Sequence, residues 1–426
     1  MAYSGFASGD TASSKAKHYR LIVVGAGFAG SSLLKSLPRS LGRPGQTLLI
    51  SRSAEYTYLP LIHEVAVGRL GPKTVSSPIH PIYNGRADFL KADVTGISLE
   101  DRTVHTSEGA VSYEYLVVAT GAQAALPPKT LAPHFRLFWS LEDALGLRSD
   151  LAALWDTTTG SRGLRNDSES STLAIVGGGA TGVELAGEIA TLFQYLEGRA
   201  GFATRPYEKP RVVLLEATDR LMGWLDPYFH ETALKGLTAL GVEVRLGSRV
   251  EEADERGLST KEGYLPAAVR LWTAGLEVGG LAATLPGERD PSGRLLSSPH
   301  LTLPGHPEVY VLGDVGVHRD RHHGPLPPTA SVAVQQGPFA ARDLGRRTGD
   351  YGTEIRRRPE FEYFDRGYIV SLGPEDAAAD AFGRKFSGPA AQALYRSVLL
   401  FYLGSRARRT LATSEWAIER LGRLGF

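Results

Sequence analysis

Residues 20–30 read Arg20-Leu21-Ile22-Val23-Val24-Gly25-Ala26-Gly27-Phe28-Ala29-Gly30, RLIVVGAGFAG in one-letter form. The apolar run shows no period-two alternation, which marks a short strand buried on both faces of a parallel sheet. Gly25 closes the run, and Ala29–Leu37 carries a helical pattern. A strand, a G-x-G-x-x-G turn and a helix in direct succession read as a dinucleotide-binding unit. Gly25 makes the tight turn, Gly27 lets a pyrophosphate approach the backbone, and Gly30 lets helix and strand pack closely. The first helical turn, with Phe28 and Ala29, presents unpaired N–H groups to the phosphates.

The same order occurs twice. Thr47–Ser51 (TLLIS) and Tyr115–Thr120 (YLVVAT) are further strands of the first unit. Leu173–Val176 then enters Gly177-Gly178-Gly179-Ala180-Thr181-Gly182, with a helical stretch over Glu184–Leu196 behind it. Arg211–Glu216 (RVVLLE), Val242–Leu246, Ala268–Trp272 and Val309–Gly313 read as later strands, and Thr329–Leu344 as a helix. Residues 156–171 form a polar, Gly/Ser/Thr-rich linker. Strands alternating with helices imply an α/β fold with parallel sheets. The expected architecture is two Rossmann-like dinucleotide-binding domains plus a C-terminal amphipathic helical segment. The expected division is a disordered tail at 1–17, one domain over 18–155 and 286–345, a second over 172–285, and a C-terminal region over 346–426.

Two glycine turns imply two dinucleotides, the second held by Gly177, Gly179, Thr181 and Gly182. An acidic residue at the end of the second strand binds ribose hydroxyls and repels a 2′-phosphate. Glu216 occupies that position after the second turn, which favours NAD over NADP, although the nearby Arg220 keeps NADP open. After the first turn the position is Ser51, followed by Arg52, so adenosine is expected there with fewer charged contacts. Three strand-end segments support a flavin: Ala119-Thr120-Gly121, Trp272-Thr273-Ala274-Gly275 and Gly313-Asp314. An Asp in the last position reaches a ribityl or pyrophosphate-side hydroxyl.

Bulk composition narrows the chemistry. A chain of 426 residues holds two or three domains. Its 47 Lys+Arg against 46 Asp+Glu give no support for a nucleic-acid partner. Cysteine is absent. Disulfides, thiolate nucleophiles, Cys-ligated metals and Fe–S clusters are therefore excluded, and redox chemistry must sit on a bound cofactor. No stretch approaches the ~20 apolar residues that span a bilayer, and Met1–Lys17 lacks the apolar core of a signal peptide. His318, His322 and His323 read as a solvent loop, and no metal site is expected.

Taken in order, GAGFAG, ATG, GGGATGVELAG, RVVLLE, WTAG and VYVLGD resemble the two-dinucleotide-binding-domain flavoproteins. Ser51–Gly68 (SRSAEYTYLPLIHEVAVG), Trp272–Gly275 and Pro327–Gly337 (PPTASVAVQQG) resemble, more narrowly, the type II NADH dehydrogenases, single-chain NADH:quinone oxidoreductases that pump no protons. The resemblance implies non-covalent FAD on the first unit, at Gly25, Gly27, Gly30, Ser51, Asp314 and the neighbouring Ala330. It implies NADH, with NADPH still open, on Gly177, Gly179, Gly182 and Glu216. It places Glu184, of the GVEL segment, near the nicotinamide–flavin–quinone junction as an aid to charge or proton transfer. The family's quinone pattern AQxxxQQG becomes Ala330-Ser331-Val332-Ala333-Val334-Gln335-Gln336-Gly337 here, so Gln335 and Gln336 are carried over while Ser331 replaces the first Gln.

From about Gly388 the character changes. Leu394, Val398, Leu399, Phe401, Tyr402 and Leu403 are flanked by Arg396, Arg406, Arg408 and Arg409, and Leu411, Trp416, Ile418 and Leu421 follow. A basic amphipathic helix with aromatic residues reads as a monotopic anchor, with packing on the protein or a homodimer as the alternative. The expected location is the cytoplasmic side of the cell membrane, held peripherally, with a quinone as partner. A soluble NAD(P)H reductase feeding a ferredoxin or rubredoxin, and a slow flavin-bound interaction protein, are the other readings.

Overall fold

A computed structural model describes residues 17–159, 171–200, 210–350 and 358–423. The expected tail and most of the expected linker lie outside these residues. The chain divides into two compact units. One takes the described residues up to Ala54 with Ile79–Gly121 and Val278–Tyr363, and the other takes Glu55–Pro78, Ala122–Glu277 and the described residues from Phe364 onward. Chain order had put 55–78 and 122–155 with the first unit and 278–285 with the second. Packing groups them otherwise: the short helix Ile62–Ala66 packs on Leu141–Thr159 and on Ala180–Ala200, both in the second unit.

In the first unit, Lys17–Val24 is a central parallel strand between Thr47–Ser51 and Gly109–Val118, with Asp88–Lys91 and His306–Val311 extending the sheet on either side. Leu21, Ile22 and Val23 are fully buried, as the unbroken apolar run requires. Each such side chain contributes about 1.5–3 kcal/mol relative to exposure. The Phe28–Ser36 helix crosses the Ala330–Arg347 helix closely. A Cβ on Gly337 would lie 2.0 Å from Ser32 Oγ and 2.6 Å from Leu33 N, so only glycine admits that approach.

In the second unit, Thr172–Val176 lies between Arg211–Leu215 and Val269–Trp272 in a five-stranded parallel sheet. Its buried cluster includes Ala174, Val176, Val213, Leu215 and Leu258. An antiparallel sheet of Gly367–Ser371, Ala377–Ala381 and Arg384–Ser387 precedes the helices Pro389–Tyr402 and Arg406–Arg423. The C-terminal part is therefore not helical throughout. Its first helix buries Ala391, Gln392, Tyr395 and Leu399 within this unit and leaves Val398 and Phe401 exposed. Its second helix buries Ala412 and Trp416 and exposes Leu411, Ile418 and Leu421. Glu415 and Glu419 are docking groups of this second helix. Glu415 accepts from Gly71 N–H at 3.1 Å and Thr74 O–H at 2.7 Å, and Glu419 lies 3.6 Å from Arg69. No helix among the described residues is long and apolar enough to cross a membrane.

Candidate functional site

The two glycine turns share one backbone pattern. Gly25 has φ +102° and Gly177 φ +116°, values that favour glycine. Gly25 N–H donates to Ile50 O and Gly177 N–H to Leu215 O, at 2.9 and 2.8 Å. Across each first glycine lies the strand-end segment noted in the sequence. A Cβ on Gly25 would meet Ala119 O at 2.3 Å, and one on Gly177 would meet Ala274 N at 2.7 Å. A Cβ on Gly30 would fall 2.0 Å from Gly25 O, and one on Gly182 1.9 Å from Gly177 O. At the middle glycines, Gly27 and Gly179, an added Cβ meets nothing within 4 Å among the described residues. Each turn thus encloses an open cradle at the N-terminus of a helix, where backbone N–H groups and the helix dipole favour phosphate. Gly27 caps the first helix with no side-chain hydrogen bond, so its leading N–H groups meet no capping side chain.

Around the first cradle, Gly313 N–H donates to Gln336 Oε1 at 2.6 Å, and Gln336 is 3% exposed. Gln336, carried over as a reacting-site residue, therefore spends its carbonyl oxygen inside the protein, holding the Gly313-Asp314 turn. With Gly337 at the helix crossing, two residues of the QQG stretch do structural work. Gln335 is half-buried and its Nε2 donates to Ser331 O at 3.1 Å. Ser331 Oγ lies 3.1 Å from Tyr363 Oη. The half-buried Asp314 carboxyl makes no hydrogen bond among the described residues, and burial pushes it up to about 6 against the pull of Arg294. An unpartnered carboxyl at a strand end beside an open phosphate cradle fits the ribityl and pyrophosphate side of FAD. Ser51 is half-buried at its strand end, and Arg52 is exposed and paired with Asp93 at 3.2 Å.

Around the second cradle, Glu216 Oε2 accepts from Gly178 N–H at 2.7 Å, and Oε1 accepts from Thr218 N–H at 2.7 Å. The carboxylate is thereby fixed against the glycine turn. Arg220, the residue that kept NADP open, donates to Gly223 O. His318 is 4% exposed and packs edge-on against Phe361, so it is a core side chain rather than part of a solvent loop. Asp320 organises that loop by accepting from His322 and His323 N–H.

Glu184 sits in the first turns of the Ala180–Ala200 helix, in a buried polar cluster that sequence reasoning missed. Tyr395 O–H donates to Glu184 Oε1 at 3.0 Å, Ser371 N–H donates to the same oxygen at 3.3 Å, and His63 Nδ1 stands 3.9 Å from Oε2. Burial pushes Glu184 up to about 8. One turn on, Glu188 pairs with Arg69 at 2.8 Å. Glu64 accepts from Trp416 Nε1 at 2.5 Å, is fully buried, and is raised by that burial against the pull of Arg69. Burial of this many ionisable groups costs stability unless each is paired or neutral. The only available signal was His63-Glu64 inside an otherwise apolar stretch.

Residues 19–337 match the family model described as pyridine nucleotide-disulphide oxidoreductase. The chain is 28% identical over 424 residues to the type II NADH:quinone oxidoreductase Ndh of Mycobacterium tuberculosis, covering 95% of this chain and 89% of that protein. It is 26% identical over 378 residues to the type II NADH:quinone oxidoreductase of Staphylococcus haemolyticus, with 87% and 91% covered. The structure of NDH2 from Plasmodium falciparum in complex with NADH is similar at TM-score 0.80 and 16% identity, covering 94% of this chain and 97% of that one. The sulfide:quinone oxidoreductase of Aquifex aeolicus reaches 0.70 at 18% identity, with 93% and 92% covered. At these identities the two solved structures speak for the fold.

Proposed function

This chain belongs to the pyridine nucleotide-disulphide oxidoreductase family, and from that footing we propose that it is an FAD-dependent NADH:quinone oxidoreductase that pumps no protons. The observation that carries the reading is the duplicated glycine turn, in each copy of which a Cβ added at the middle glycine meets no atom of the described residues within 4 Å. The disulfide chemistry in the family's description is unavailable to a chain without cysteine. The curated relatives similar over most of its length are named for NADH:quinone chemistry. FAD, when bound, supplies a hydride acceptor that passes two electrons onward. The first cradle and Asp314 hold it. The second cradle and Glu216 hold NADH. Glu184 serves as the acid of the site.

Stopped-flow mixing tests this directly. NADH should bleach the flavin rapidly, and a menaquinone or ubiquinone analogue should restore its absorbance. A reduced flavin that persists with every quinone, and reoxidises with a ferredoxin or rubredoxin, sinks the quinone assignment.

Glu216→Ala should narrow the preference for NADH over NADPH by about 10-fold or more, because a carboxylate hydrogen-bonded to ribose hydroxyls also repels a 2′-phosphate. The ratio of kcat/KM for the two donors is the measurement. An unchanged ratio removes Glu216 from the site.

The Arg406–Arg423 helix meets a membrane surface in this reading. Trp416 and Ala412 face the protein while Ile418 is 69% and Leu421 52% exposed beside Arg420. One apolar side is thus left for lipid, with arginine near it for anionic headgroups. Ile418→Asp with Leu421→Asp should abolish co-sedimentation with anionic vesicles and leave the flavin bound. Retained sedimentation places the attachment elsewhere.

A further inference from the structure

Glu184, His63 and Tyr395 come from three separate elements of the second unit and meet in its interior. His63 is 3% and Tyr395 5% exposed, and the Glu184 side chain, at 15%, is the most open of the three. Two donors, Tyr395 O–H and Ser371 N–H, converge on Glu184 Oε1. No donor among the described residues is hydrogen-bonded to Oε2. His63 Nε2 lies 3.5 Å from Tyr395 Oη. We infer that Tyr395 and His63 are positioning residues that fix the Glu184 carboxyl with its proton on Oε2.

The geometry runs as a one-way chain. The neutral His63 tautomer with hydrogen on Nε2 donates to Tyr395 Oη, which turns the tyrosine hydrogen toward Glu184 Oε1. With Oε1 saturated by donors, the carboxyl hydrogen belongs on Oε2. His63 remains neutral because burial and the neighbouring Arg69 push it down to about 3, so it offers Glu184 no cation. The other charged or titratable groups that bear on the carboxyl are Glu64 from the 62–69 segment, Glu188 on its own helix and Tyr368 on the adjacent strand, while Arg69 and Arg396, the latter on the Tyr395 helix, bear on Glu64 and Glu188. Arg69 is committed to Glu188 and Glu419. Glu184 is thus left without a cation of its own, and the neutral acid prevails near neutral pH.

This inference rests on the proposed activity for its use. NADH, one proton and quinone give NAD+ and quinol. The hydride carries two electrons and one hydrogen, so one proton must come from the medium. Glu184 Oε2 releases it and takes its replacement from solvent, the carboxyl returning to neutral after each turnover. A carboxyl locked in one orientation needs no rotation between receiving the proton and releasing it.

The test has a readout independent of turnover. In the FAD-loaded protein, the carboxyl C=O infrared band that vanishes in Glu184→Gln is titrated with pH. Tyr395→Phe removes a donor that stabilises the carboxylate, so the midpoint should rise by about one pH unit. The alkaline limb of kcat for a short-chain quinone should move up with it, and KM should stay within about twofold. His63→Leu, which frees the tyrosine hydroxyl to turn away, should move the midpoint in the same direction. His63→Gln, which keeps an N–H near Nε2, should restore it. A Tyr395→Phe midpoint that coincides with wild type overturns the inference, as does a shifted midpoint with an unshifted kcat limb in an active enzyme. If the band titrates and shifts as described while the wild-type protein reduces no quinone, the proposed activity falls and the positioning of the carboxyl stands.

Discussion

Gly27→Ala is expected to leave the flavin-free protein with an unchanged melting curve and to weaken FAD binding by about 10–100-fold, the effect of overpacking a contact by about 1–3 kcal/mol. Gly27 has φ −65°, a conformation open to any residue, and its added Cβ meets no atom within 4 Å among the described residues. The methyl therefore enters the cradle and nothing else. Gly179→Ala is its partner experiment: the cradle there is equally open, and NADH rather than FAD should be lost. Flavin-to-protein absorbance and NADH titration of the flavin-loaded protein read the two arms. Gly30→Ala supplies the contrast. Its Cβ would strike Gly25 O at 2.0 Å, so it should lower the melting temperature of the flavin-free protein as well. Loss of NADH from Gly27→Ala and of flavin from Gly179→Ala would exchange the two assignments. Full binding in both would mean that neither turn holds a phosphate.

Both glycine turns are specified by local sequence. An apolar run ending in glycine dictates strand, turn and helix within about a dozen residues, because the sterics of Gly25 and Gly30 are settled by atoms close in the chain. The strand-end segments at Ala119 and Ala274 were legible for the same reason, each closing an apolar strand. What escaped was set by distant partners. Glu184 was picked out by its motif, but nothing local joins it to His63, which is 121 residues earlier, or to Tyr395, which is 211 residues later. Gln336 was carried over from the family's quinone pattern, which says nothing of where its side chain points. Only the fold shows it buried and holding Gly313. The docking of Glu415 and Glu419 was not legible either, because the helical period alone cannot tell which polar residues will find Gly71, Thr74 or Arg69. The antiparallel sheet at 367–387 was missed because its short strands, AAADA among them, carry little strand propensity of their own.

Glu184→Gln is expected to lower kcat for quinone reduction by about 100-fold or more, within the range that a positioned acid contributes, and to flatten the alkaline limb of the pH profile. The amide is the near-isostere of the neutral acid. Its oxygen still accepts from Tyr395 and Ser371, and its NH2 occupies the place of the protonated Oε2. Structure is kept and the transferable proton is lost. In the wild type that limb should fall with a midpoint of about 8, where Glu184 ionises. The same group makes a stability prediction with a definite sign. Its ordinary value is 4.5, and burial raises it in the folded protein. Between about 4.5 and about 8 the folded state holds a proton that the unfolded state has released, so stability falls as pH rises through that window. Above it, both states are ionised and the favourable contribution is gone. Glu184→Gln carries no such proton, so its melting temperature should decline less steeply from pH 5 to 9 than that of the wild type, and the two curves should diverge with the variant on top. Because kcat and melting temperature respond to the same ionisation in unrelated measurements, agreement of their midpoints tests the group and not merely the variant. A wild-type alkaline limb surviving in Glu184→Gln would move the acid to another residue, and parallel melting curves would mean that Glu184 is ionised in the fold.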